Sequence, residues 1–435
     1  MRRPALAGAS LRTETLAGVT TFLTLSYILF VQPTVMALAG IDPGAALTAT
    51  CLASAAATLF MGLAANYPIA VAPAMGHNFW FALGVASAGG LALGWQRALG
   101  AVFLAGVLFT LLTLSGLRER LLAAIPASLQ HAIGGGIGLL ITLIGLQWAG
   151  IVVAAPGTMV RLGDLKSPPA LVALLGIALT SVLMARRVPG AFLLGIAGTA
   201  LIAIPFGLVH WHGVTGAPAS LAPTFAKLDV VGALAFPKVV AVFLFLAVFD
   251  TLGTLVAVAD RAGFLRDGKL PRARTAMLAD SLGTMLGAVL GTSTVTAYVE
   301  STAGVLQGGR TGFASVVTAL CLLGSVFLHP LVQAIGGGHQ LAGGGTLYPV
   351  TAPVLVLIGS LMVSALAGVP WDEPAEAIPA FLAAVMIPLT FSIAEGIAFG
   401  LVAASLLELF RRGVRRSALP LHLLAAAIVA GYFAM

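Results

Sequence analysis

Two acids stand alone in sequence built otherwise from apolar and small residues. Asp250 lies in VFLFLAVFDTLGTLVAV and Glu300 in VLGTSTVTAYVESTAGV. A carboxylate surrounded by hydrocarbon costs several kcal/mol, so an acid at membrane depth marks a substrate or ion site by default. A carboxylate accepts N–H groups in charge-assisted hydrogen bonds. Burial favours its protonated form, so the same group can load and release a proton. A charge tucked against neighbouring backbone would explain one such acid more easily than two. No Ser/His/Asp set, metal-ligand cluster or phosphate motif falls at one depth with them, which speaks against an enzyme.

The elements that must position these acids follow from composition. The chain of 435 residues is 59% hydrophobic and 9% charged, with mean hydropathy +1.06. Soluble domains carry about 25% charge, so this is an all-α polytopic membrane protein. At roughly 20 residues per span it has room for about 12 to 15 helices. The 52 glycines suit helices that pack closely through small residues. The net charge of +7 reflects loop residues and implies no nucleic acid partner. Cys51 and Cys321 fall inside predicted spans as small packing residues. No metal site or cofactor is expected, and no cleavable signal peptide is evident in MRRPALAGASLRTE.

Apolar runs bounded by Gly, Pro or charge predict spans at 16–39, 45–65, 69–88, 97–116, 122–147, 169–185, 189–209, 238–259, 275–291, 293–307, 312–335, 346–368, 377–393 and 395–410. That makes fourteen, and 418–435 is either a further span or an interfacial helix. If the N-terminus is cytoplasmic and the spans alternate, only Arg97, Arg161, Lys166, Lys227 and Lys238 of the 22 basic residues fall outside. That bias favours a cytoplasmic N-terminus in the cell (inner or plasma) membrane. The division expected is a cytoplasmic basic arm (1–15), a first seven-helix repeat (16–209), an outer loop (210–237), a second repeat (238–410) and a basic, then apolar, tail (411–435). Within the tail, Arg411, Arg412, Arg415 and Arg416 are expected to touch anionic lipid.

Laying Thr58 over Thr284 aligns CLASAAATLFMGL with MLADSLGTMLGAV. An odd number of spans per half makes the repeat inverted, an architecture common among secondary transporters. Two segments break the helical pattern at equivalent places. In YPIAVAPAMG, Pro68 and Pro73 forbid a regular helix and extend the residue before each. In GTSTVTAYV the β-branched residues favour a short strand. Unwound backbone at membrane depth is tolerated where it is buried in protein or lines a cavity.

Several blocks resemble the AzgA-like purine permeases of the nucleobase–cation symporter-2 family. These are TETLAGVTTFLTLSYILFVQP, AVFDTLGTLVAVADRAG, ADSLGTMLGAVLGTSTVTAYVESTAGVLQGGRTG and IPAFLAAVMIPLTFSIAEGIAFG. The resemblance runs over nearly the whole chain. It implies fourteen helices as a 7+7 inverted repeat, with short strands opening spans 3 and 10. Spans 1–4 and 8–11 would form a core domain, and spans 5–7 and 12–14 a gate. It implies a purine nucleobase as partner, held by Asp250, Glu300 and the Met75–Phe79 segment: Gly76, His77, Asn78 and Phe79. Thr251, Tyr298 and Val299 belong to the same motifs. A homodimer is a further expectation.

The chemistry of a purine suits these groups. Carboxylates accept its N–H groups, Asn78 can donate and accept at once, and Phe79 or Tyr298 could stack on the ring. Both aromatics serve equally well as core. Asp250 and Glu300 could also carry the coupling proton, with Thr251 and Thr254 bonding Asp250; no sodium-type ligand cluster is apparent. The sequence departs from the family at His77, where apolar residues are usual, at Ala247, where many relatives carry a second acid, and at Glu395. His77 is either a ligand or a hydrogen-bonded structural residue. Asp280 reads as a buried polar link toward helix 8, and Gly134–Gly138 as close helix packing. The expected activity is proton-coupled uptake of guanine, hypoxanthine, adenine or xanthine by alternating access. The alternative is the same fold carrying uracil or a small anion; two site carboxylates would repel the anion.

Overall fold

The computed structural model describes residues 10–115, 126–211, 213–265, 270–341, 345–413 and 418–433. Expectations resting on Arg2, Arg3, Arg118, Arg120, Arg266, Lys269, Arg415 and Arg416 lie outside those residues. The α-helices in chain order are α1 (Leu11–Leu25), α2 (Ile28–Leu38), α3 (Pro43–Phe60), α4 (Met75–Phe79), α5 (Trp95–Ser115), α6 (Ala127–Trp148), α7 (Pro168–Ala185), α8 (Ala191–Ala203), α9 (Val230–Ala233), α10 (Pro237–Arg261), α11 (Ala273–Leu290), α12 (Ser301–Leu306), α13 (Gly312–Gly324), α14 (His329–Gly336), α15 (Ala352–Val363), α16 (Pro374–Thr390), α17 (Ile393–Arg412) and α18 (Leu419–Phe433). The strands are β1 (Val71–Pro73), β2 (Val152–Ala155), β3 (Met159–Leu162), β4 (Val295–Ala297), β5 (His339–Gln340) and β6 (Thr346–Leu347).

Among the described residues, eight helical stretches are long and apolar enough to cross a membrane, and four shorter apolar helices accompany them. The chain is therefore a mostly helical, multi-pass membrane protein. Its helices begin where the sequence supplies caps. Asp42 accepts the Ala45 amide at 2.8 Å ahead of α3, and Pro43 occupies the first helical position. The first predicted span is broken at Ser26–Tyr27 into α1 and α2, which nothing in its composition foretold. The two hairpins β2–β3 and β5–β6 were likewise not foreseen; they occupy stretches between apolar helices.

Both interrupted segments form the short strands expected of them. α3 runs into a π turn and ends at Asn66, whose φ of 54° reverses the chain just before Pro68. α11 ends at Gly291, whose φ of 107° suits glycine and where a Cβ would press within 2.3 Å of Thr224. β1 and β4 then pair antiparallel, with Val71 opposite Ala297, Ala72 opposite Thr296 and Pro73 opposite Val295. Each strand is fastened to the preceding helix by one threonine. The Thr58 hydroxyl accepts the Val71 amide at 2.9 Å and donates to its carbonyl at 3.1 Å. Thr284 makes the same two bonds with Val295, at 3.1 and 2.9 Å. α3 and α11 cross where a methyl on Gly283 would lie 2.8 Å from Ala57 Cβ. Ala57 and Gly283 are aligned by the same overlay that aligns Thr58 with Thr284.

The chain divides into two compact units. One holds residues 1–114, 148–151 and 162–354, and contains the paired strands. The other holds 115–147, 152–161 and 355–435. In this second unit the Gly134–Gly138 run allows close approach as expected: a methyl on Gly138 would sit 2.7 Å from the Gly359 carbonyl oxygen, and one on Gly136 3.0 Å from that of Ala384. The Ser128 hydroxyl bonds Glu376, and Ser405 pairs with His422 at 2.8 Å.

Candidate functional site

The site grows from the β1–β4 crossing, entirely within the first unit. Backbone bonds extend the pairing at both ends: the Tyr298 amide donates to the Ala70 carbonyl at 2.9 Å, and the Ala74 amide to that of Thr294 at 3.1 Å. The N-terminus of α4 and the start of α12 therefore emerge from one joint. α10 passes beside it. The Thr296 hydroxyl, in the middle of β4, donates to Asp250 Oδ2 at 2.9 Å. His77 Nε2 lies 3.9 Å from the same oxygen, and its Nδ1 is 2.8 Å from Thr294 Oγ1.

The acids differ in their surroundings. The Asp250 side chain is 38% exposed. One turn on, Gly253 faces open space, since a Cβ there would meet nothing within 4 Å. Asp280, on α11, is completely buried; its Oδ2 accepts the Thr251 hydroxyl at 2.7 Å and the Ala297 amide at 2.8 Å. Asp280 is thus the predicted link to the helix carrying Asp250, and Thr251 turns toward it, not toward Asp250 as expected. Thr296 supplies Asp250 instead. Glu300 is half-buried; its Oε1 accepts the Tyr27 hydroxyl at 2.9 Å, and its carbonyl oxygen lies 3.4 Å from Thr24 Oγ1. Asp280, Tyr298 and Glu300 all lie within electrostatic reach of Asp250.

The remaining predicted residues divide between this cluster and the core around it. Gly76, His77, Asn78 and Phe79 are all buried in the α4 turn. The Asn78 amide donates to Gln32 and its carbonyl accepts from Ser293. Gln32 in turn donates to Thr292 at 3.0 Å, which meets Thr50 at the same distance. That buried chain ties α2, α3, α4 and the β4 approach together, and spends both ends of the Asn78 side chain on protein. Phe79 stands edge-on to Trp148, with ring centroids 5.7 Å apart. Tyr298 is buried, donates its hydroxyl to the Pro73 carbonyl, and has its ring 6.5 Å from that of Tyr27. Val299, at 48% exposure, borders the open side.

Sequence reasoning did not single out Tyr27, Gln32, Ser293, Thr294 or Thr296. Gln32 could have been found, as a lone amide in ILFVQPTVMAL. The hydroxyl-rich TSTVT run signals a strand through its backbone preference, while the partners of its side chains lie far off in the chain. Tyr27 carries no such signal, because its role depends on the break between α1 and α2.

The arrangement brings an accessible carboxylate, a buried ring nitrogen and a half-buried second carboxylate to the two paired strand–helix junctions. Such a set can accept and donate hydrogen bonds to a small polar molecule and can hold a proton. Comparisons with known proteins identify the family. The chain is 45% identical over 91% of its length to the guanine/hypoxanthine permease PbuG of Bacillus subtilis, covering 90% of that protein. It is 41% identical over 92% of its length to the adenine permease AdeP of Escherichia coli, covering 88% of it. Among solved structures, its fold matches the transmembrane domain of a cyanobacterial bicarbonate transporter, BicA, with a TM-score of 0.66 at 18% identity, over 91% of this chain and 97% of that one. The Permease family pattern spans residues 12–399, and the chain belongs to that family, as its motif resemblance indicated.

Proposed function

We propose that this protein takes up purine nucleobases (guanine, hypoxanthine, adenine or xanthine) across the cytoplasmic membrane, together with a proton, by alternating access. The observation that carries the reading is the pairing of near full-length similarity to purine permeases with an exposed Asp250 at the strand crossing. Asp250 and Glu300 bind N–H groups of the base and carry the proton. Gly76 and His77 on α4, with Val299 beyond β4, line the opening. Thr251, Asn78, Phe79 and Tyr298 hold the walls in place, because their polar atoms or ring faces are engaged with protein. No catalysis, cofactor or metal is part of this reading.

The matched threonine clamps and the Ala57–Gly283 crossing support an inverted repeat, because residues related by a two-fold axis meet one another at that axis. The architecture proposed is therefore fourteen spans as 7+7, with spans 1–4 and 8–11 as core and the remainder as gate. The N-terminus is cytoplasmic, the membrane is the inner or plasma membrane, the tail arginines meet anionic lipid, and the assembly is a homodimer.

The test is uptake of labelled guanine, hypoxanthine, adenine, xanthine and uracil into cells lacking their own permeases. A protonophore should stop accumulation, and replacing external sodium should not. Saturable uptake of uracil alone, or of none of the five, would overturn the substrate assignment.

A further inference from the structure

We infer that His77 and Asp250 act as a pair sharing one transported proton, with Thr294 as the partner that lets His77 change charge without moving. This rests on the purine–proton reading above and specifies where the proton resides. His77 Nε2 lies 3.9 Å from Asp250 Oδ2, and its Nδ1 lies 2.8 Å from Thr294 Oγ1. A neutral imidazole carries one N–H. Two lone pairs facing each other across 3.9 Å repel, so the hydrogen belongs on Nε2, facing the carboxylate, and Nδ1 accepts from the Thr294 hydroxyl.

Protonation puts a second hydrogen on Nδ1. A backbone amide in place of Thr294 would then oppose it, whereas a backbone carbonyl would oppose the neutral form. A hydroxyl serves both states, because it can rotate from donor to acceptor. On the other side, Thr296 already donates to Asp250 Oδ2 and Asp250 keeps an exposed face toward the opening. The charged and titratable groups around the pair are Asp250 from α10, Asp280 from α11, and Tyr298 and Glu300 following β4. A cationic ring in this acidic cluster offsets negative charge. The proton leaves a hydronium ion of external water, is held as an N–H or O–H bond on the His77–Asp250 pair while the base is bound, and passes to a water molecule on the cytoplasmic side, so that atoms and charge balance.

The test uses purified protein in proteoliposomes: the unmodified chain, His77→Gln and Thr294→Val. Two rates are read for each, net hypoxanthine uptake under an imposed pH gradient across a series of external pH values, and hypoxanthine counterflow at equal pH. Glutamine retains a donor toward Asp250 and does not titrate. His77→Gln is expected to lower counterflow less than it lowers net uptake, and the midpoint of net uptake moves at least one unit to lower external pH. A carboxylate is ordinarily a weaker base than an imidazole, so the variant needs a higher external proton concentration to load. Thr294→Val is expected to move the midpoint the same way by a smaller amount, since the imidazolium loses its acceptor. A His77→Gln profile superimposed on that of the unmodified chain would overturn the inference. If that variant were inactive in both assays, a Thr294→Val profile identical to the unmodified one would overturn it instead. Failure of the unmodified chain to exchange any purine would refute the substrate reading and not the pairing.

Discussion

The two strand–helix junctions share a scaffold and differ in chemistry. Each strand is three residues long, each is held by a single threonine of the helix before it, and the two pair with one another. Around β1 the sequence YPIAVAPAMG is nearly all apolar, and prolines do the work of breaking the helix. Around β4 the sequence GTSTVTAYVE breaks the helix with a glycine and hydroxyl-bearing residues, and those hydroxyls reach across to first-half side chains. Ser293 bonds Asn78, Thr294 meets His77, and Thr292 receives Gln32. Thr296 and the Ala297 amide hold Asp250 and Asp280, respectively. The lesson is that symmetry builds the joint and one partner furnishes it: β1 supplies shape, β4 supplies ligands.

The most severe break in this comparison is expected at Asp250. Asp250→Asn retains size and the Thr296 contact but cannot take up a proton. Concentrative uptake in proteoliposomes should fall at least 100-fold, while base-for-base counterflow persists. Net accumulation surviving in that variant would move the proton to Glu300. Next comes Glu300→Gln, which removes a charged acceptor from the β4 side. A hydrogen bond to a charged group contributes about 1.5–3 kcal/mol, so affinity measured by competition should weaken roughly 10- to 100-fold. Unchanged affinity would remove Glu300 from the binding surface.

Much of this was legible from residue types alone. Asp250 and Glu300 announce themselves because charge in hydrocarbon requires a reason. Pro68, Pro73 and the β-branched TSTVT run foretell where helices cannot continue, and the strands lie there. Asp280 was read as a polar link to helix 8, and the Thr251 hydroxyl completes that link. What could not be read was partnership. Thr251 sits next to Asp250 in sequence, yet neighbours along a helix point about 100° apart, so its hydroxyl serves a different acid. Asn78 reads as a ligand by chemistry, and only the positions of Gln32 and Ser293, far off in the chain, show that its amide is already committed. The break at Tyr27 has no Pro or Gly to mark it.

The two threonine clamps allow the scaffold and the chemistry to be separated. Thr58→Val and Thr284→Val each strip one strand residue of two hydrogen bonds in a buried setting. An unpaired buried backbone group costs about 1–3 kcal/mol. Both variants should therefore lower the melting temperature of detergent-purified protein by similar amounts. Transport should respond unequally, with Thr284→Val raising the half-saturation concentration severalfold more, because β4 carries the contacts to Asp250 and Asp280. Equal loss of transport would mean that β1 is as functional as β4.

The smallest effect is expected at Gly253, and it measures how open the β4-facing side is. Two glycines of the second half make the contrast. At Gly283 an added methyl would crowd Ala57 within 2.8 Å, at the crossing of α3 and α11. At Gly253 it would meet nothing within 4 Å. Alanine favours a helix interior over glycine by about 1 kcal/mol, so Gly253→Ala should leave melting unchanged or raise it slightly, whereas Gly283→Ala should lower it. Gly253 lies one turn from Asp250 and borders open space, so if that space is the substrate path, larger side chains there should act on substrate instead of stability. A series of Ala, Val and Phe at Gly253 should keep the melting temperature nearly constant while hypoxanthine affinity declines with side-chain volume. Affinity indifferent to volume would place the bound base away from this turn of α10, on the Glu300 side of the opening.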